Sequence, residues 1–122
     1  VVHSTITDFD WIGEYVSNLA NKPLGIVFIV GTFIHGCGNL ALTLGLWSAL
    51  HPGRLRTWAV IFFGFAALGI LLTALFTIES PGTAPGATGR IHRAVASATF
   101  IFELAALFVF TLVFSNDRRW YR

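Results

Sequence analysis

Methionine is absent from all 122 residues, so Val1 is not an initiator residue. Further sequence ahead of it is the expected explanation, because VVHSTITDFDWIGEY carries none of the basic, apolar and small-residue zones of a secretory signal. Cysteine occurs once, at Cys37, which excludes an intrachain disulfide and a cysteine-based metal cage and leaves the redox compartment open. Charge is scarce as well. Only 11% of residues are charged, and the net +2 is spread over loop ends, unlike the clustered basic face that nucleic-acid binding requires. There is no pair of histidines at helical spacing for zinc, no Gly-x-Ser-x-Gly elbow and no phosphate loop. No metal site is assigned, and a non-catalytic protein is expected.

What remains is apolar. Hydrophobic residues make up 55% of the chain, and the mean hydropathy is +0.72, far above that of a domain with a solvated surface. Three runs, Leu24 to Leu50, Trp58 to Ile78 and Ala94 to Phe114, each reach the roughly 20 residues needed to cross a bilayer core. The expected fold is an all-α polytopic membrane bundle with three transmembrane helices, at about 24–50, 58–78 and 92–114, within a transmembrane domain of 24–122. Pro23 is expected in the first turn of the first span, and HPGRLR separates the first from the second. In segment 1–23, Phe9, Ile12, Val16 and Leu19 would share one helical stripe, with Asp8, Asp10 and Glu14 away from it. Thr7-x-x-Asp10 has the spacing of a capping box. This segment is either an interfacial helix or a solvated loop.

Arg54, Arg56, Arg118, Arg119 and Arg122 outnumber Lys22, Arg90 and Arg93, so the positive-inside bias puts 51–57 and 115–122 in the cytoplasm. Residues 1–23 and the Gly/Pro-rich hairpin 79–91 then lie outside a multi-pass protein of the cell membrane. Trp11, Tyr15, Trp47, Trp58, Trp120 and Tyr121 fall near span ends, as an interfacial aromatic belt requires.

The outer segment WIGEYVSNLANKPLG, a span ending FTIESP and a following span opening GRIH together resemble the bacterial integral-membrane family called domain of unknown function 998. That resemblance covers most of the chain and implies spans two to four of a six-span pattern with both termini inside. The family is itself distantly similar to Frag1/DRAM/Sfk1-like membrane proteins. Its usual aspartate-proline pair is replaced here by Glu79-Ser80-Pro81. The resemblance implies topology and no chemistry.

Two groups of polar residues are candidates for function. Inside the membrane are His35 and Asn39 in the first span and Glu103 in the third. A charge at mid-bilayer costs about 2.5–3.5 kcal/mol, so Glu103 is expected to face protein or water. His35 lies eleven residues after Leu24 and Glu103 eleven after His92, which predicts equal depth and a His–Glu contact able to hold a proton. The competing reading is structural: Glu103 bonded to Thr73, Thr99 or another helix, and His35 a satisfied interior group. Haem is not expected, since His35, His51 and His92 lie at three different depths. The second group, at the outer hairpin, comprises Glu79, Arg90, His92 and Arg93. Two arginines at a helix N-terminus oppose the dipole, so an anion is expected beside them: Glu79 across the hairpin, the 8–14 acids or a lipid phosphate. The sequence thus favours a lipid-contacting scaffold or accessory subunit, with membrane lipids and other transmembrane helices or subunits as partners and bound lipid the only expected small molecule. The alternatives are a proton-coupled transporter or relay using His35 and Glu103, and an outer-face enzyme.

Overall fold

The computed structural model describes residue 10 and residues 12–80, 82–84 and 86–117, and every regular element among them is helical. A 3-10 helix, Val16–Asn21, precedes three long helices, numbered here α1 (Gly25–Ala49), α2 (Arg54–Leu75) and α3 (Ala87–Asn116). All three are long and apolar enough to cross a membrane.

The helix limits differ from the hydropathy limits for identifiable reasons. Pro23 stands in the turn ahead of α1 rather than in its first turn, and Leu24 caps the helix in the left-handed region with φ 66°. α2 starts at Arg54, ahead of the apolar run, because arginine is a good helix former and its head can reach out of the apolar slab. α3 starts at Ala87, so residues 87–91, expected in the hairpin, form its first turn. Hydropathy marks the slab; hydrogen bonding marks the helix.

Over its described length the N-terminal segment combines a local turn with the 3-10 helix Val16–Asn21. Asp10 Oδ1 accepts the Ile12 N–H at 3.0 Å and the Asp10 carbonyl accepts the Glu14 N–H at 2.9 Å, a local turn that competes with helix. Leu19 is buried, whereas Ile12 and Val16 are exposed, so no continuous stripe is buried there. Thr7, Asp8, Phe9 and Trp11 lie outside the described residues.

α2 is the central helix: α1 and α3 each pack along it. Two glycines allow the approach. A Cβ at Gly36 of α1 would come within 2.6 Å of Leu71 Cδ2, and one at Gly69 of α2 would overlap Thr99 of α3. At the end carrying residues 50–57, Leu50, Ala59, Val60, Ala106 and Phe110 form a buried cluster, with Phe63 edge-on to Phe110. Elsewhere large apolar side chains such as Ile34, Phe100, Leu104 and Phe108 are exposed, as a lipid-facing surface demands.

Candidate functional site

Residues 76–79, the extended stretch after α2, are held by side chains from two other parts of the chain and by their own Glu79. Asn21 Nδ2, at the end of the 3-10 helix, donates to the Ile78 carbonyl at 2.9 Å. His92, buried in α3, bonds through Nδ1 to the Phe76 carbonyl; a carbonyl can only accept, so Nδ1 carries the proton. The His92 bond satisfies the carbonyl of Phe76, the residue that caps α2, and the Asn21 bond that of Ile78 beyond the helix.

Glu79 completes the arrangement by capping α3. Its Oε1 accepts the N–H of Gly86 at 3.0 Å and of Gly89 at 2.9 Å, two donors that the first turn of a helix cannot use internally. The second oxygen, Oε2, is enclosed without a hydrogen bond against Gly89, where any Cβ would overlap it. The Gly89 N–H is the main reason that the Glu79 carboxyl is held below its ordinary pKa; its own N–H and that of Gly86 add to this, against partial desolvation, and the charge of Arg93 contributes least. Glu79 is thus a cap whose principal partners are backbone N–H groups, with the charge of Arg93 an electrostatic helper. Arg90 and Arg93 both have exposed side chains. Of the acids expected to meet them, Glu14 lies 3.6 Å from Lys22 and accepts from Asn18, and Asp10 is used by its own turn.

A pH dependence follows. A carboxyl whose folded pKa is depressed adds stability that is present above its unfolded value, near 4.5, and is lost as pH falls through the folded pKa. Acidification below about 4.5 is expected to speed amide exchange at Gly86 and Gly89 ahead of the α3 interior, and uniform exchange along α3 would contradict the cap.

The intramembrane residues are not arranged as equal depths would have it. His35 is ten residues beyond Gly25, and Glu103 is sixteen beyond Ala87, so Glu103 lies about 9 Å deeper at ~1.5 Å per residue. The register agrees: Gly36 meets Leu71 while Thr99 meets Gly69, which leaves Glu103 a further turn along. The early start of α3 is the cause. His35 Nε2 instead bonds Asn39 Nδ2 of its own helix at 3.1 Å, on an exposed face. Glu103 shares the stripe of Thr99, Ala106 and Phe110, all buried, and is itself partly buried. Thr73 and Thr99 donate to the carbonyls of Ile70 and Val95, and Glu103 has no hydrogen bond to any described residue.

One further surface is a stripe whose spacing the sequence shows but whose openness it does not. Gly31, His35, Gly38, Leu42 and Gly45 alternate in spacings of four and three, so they form a single stripe on α1, centred about 130° from the Gly36 and Thr43 face that meets α2. A Cβ on any of the three stripe glycines would meet nothing within 4 Å. The repeat is visible in the sequence, but an open glycine and a packed one read alike there.

No curated protein and no solved structure matches the chain. The model of the family described as "Protein of unknown function (DUF998)" matches residues 1–122. Three membrane-length helices and a match over the whole chain make this a multi-pass membrane protein that belongs to the DUF998 family.

Proposed function

We propose that this chain is a non-catalytic packing module, a scaffold or accessory subunit, whose α1 stripe receives another transmembrane helix. The observation that carries the reading is the His35–Asn39 pair, exposed at mid-span on a face where three glycines have open space. Only 11% of the apolar window of α1 is buried within the chain, against 33% for α2. Polar side chains facing hydrocarbon are costly, whereas small residues around a polar pair are what close helix packing uses. The hairpin end supports the same reading. Glu79 and His92, which an outer-face enzyme would use together with Arg90 and Arg93, are both engaged with backbone groups. A relay between His35 and Glu103 would need further groups to bridge two helical turns. Sidedness is part of the proposal: the arginine-bearing 51–57 loop faces the cytoplasm and the hairpin faces outward in the cell membrane.

The test is a double variant, His35→Leu with Asn39→Leu, assayed for incorporation into its native assembly in mild detergent. Interhelical polar contacts are worth about 1–2 kcal/mol in model membranes, so loss of roughly ten-fold in assembled fraction is expected while the isolated chain keeps its helicity. Unchanged assembly contradicts the proposal.

A further inference from the structure

At the other end of the bundle the loop between α1 and α2 opens into a cavity of about 580 Å³, lined by His51, Arg54, Arg56, Asn116 and Asp117 among others. Its basic wall is the start of α2. Gly53 provides no side-chain cap and no acid stands in the first turn of α2, so Arg54 and Arg56 line this space with Asp117, at the end of α3, as the acid across from them. The side chains of His51 and Arg54 make no hydrogen bond or ion pair to any described residue. Arg56 is partly buried, and all its partners are neutral: Nη1 donates to the carbonyls of Trp47 at 3.1 Å and Leu50 at 3.3 Å, and the guanidinium lies 4.0 Å over the Trp47 ring. Its Nε is enclosed with no acceptor. A half-buried guanidinium held only by carbonyls and a ring keeps its whole charge, and that charge calls for an anion.

A second feature indicates what kind of anion. Trp47, beneath Arg56, is also the rim of an apolar groove of about 570 Å³ between α1 and α2, lined by Val60, Ile61, Gly64, Phe65 and Leu68. Arg56 thus lines the basic cavity and covers the top residue of a hydrocarbon-lined groove. We infer that the His51–Arg56 end is a binding site for an anionic lipid, with the phosphate in the cavity against Arg54, Arg56 and His51 and an acyl chain along the Trp47–Leu68 groove. Basic pockets between transmembrane helices at the headgroup level are suited to this chemistry.

The experiment uses the full chain in detergent micelles, with dioctanoyl phosphatidic acid, dioctanoyl phosphatidylcholine and inorganic phosphate as probes and native mass spectrometry as the readout. Phosphatidic acid is expected to bind at least ten-fold more tightly than either of the others. Arg54→Gln, at an exposed side chain, should weaken it about ten-fold, the usual loss for one charge-assisted contact, and leave phosphatidylcholine unchanged. His51→Gln, outside the helices, gives a second reading should Arg54→Gln fail to fold. Inorganic phosphate binding as tightly as the lipid would overturn the lipid assignment in favour of a soluble anion. Equal retention of both lipids, or indifference of phosphatidic acid to both substitutions, would overturn the site.

Discussion

Gly69→Leu is expected to unseat α3 from α2. Thr99 of α3 fills the place of the absent side chain, so a leucine there must push α3 outward or rotate it. Overpacking of this kind costs about 1–3 kcal/mol in well-packed interiors, and the displacement would also pull apart the Phe62–Phe102 and Phe65–Phe102 ring pairs between the same two helices. Steric trapping or graded unfolding in mixed micelles would measure the loss. The control is internal to the chain: Gly38→Leu puts the same group on a helix of the same kind where nothing lies within 4 Å, and the isolated chain should tolerate it. Equal losses for the two would contradict the packing described.

Gly89→Ala should dislodge the cap at the hairpin end. The new Cβ would occupy the position of Glu79 Oε2, so the carboxylate must leave and the Gly86 and Gly89 N–H groups lose their acceptor together. A loss of about 1–3 kcal/mol is expected, with fraying confined to the first turn of α3 and to Phe76–Glu79. The coupling identifies the cause. In a Glu79→Ala background there is no carboxylate to displace, and Gly89→Ala should then be nearly silent or slightly favourable, as alanine normally is in a helix. Additive losses would mean that Gly89 is needed for some other reason. The same comparison separates the cap from a simple Glu79–Arg93 ion pair, because Arg93→Gln should cost much less than either.

These two glycines mark how far the sequence can be read. Three apolar runs are enough to place three membrane helices, since a bilayer imposes length and composition on any segment that crosses it. The starts of α2 and α3 are not visible, because Arg54 and Ala87 lie in polar or Gly/Pro-rich sequence where hydropathy is silent. α3 begins where it does through Glu79, whose partners are seven and ten residues away and are backbone groups without sequence identity. That early start also shifts Glu103 relative to His35, so a displaced boundary becomes a displaced depth. Arg54 and Arg56 carry an orientation signal in the sequence, and nothing in HPGRLR discloses that Arg56 folds back over Trp47. Asn21 is likewise one unremarked residue in the sequence, and its role depends entirely on where Ile78 comes to lie.

The most direct test of the packing-module account is photo-crosslinking in native membranes from two positions on the same helix. Leu42 lies on the stripe with His35, Gly38 and Gly45, and Leu44 points to the opposite side; both are exposed leucines less than one turn apart and so at nearly the same depth. A photoreactive residue at 42 should yield protein adducts, and one at 44 should yield lipid adducts. Lipid adducts from both positions would show the stripe open to the bilayer and contradict the account.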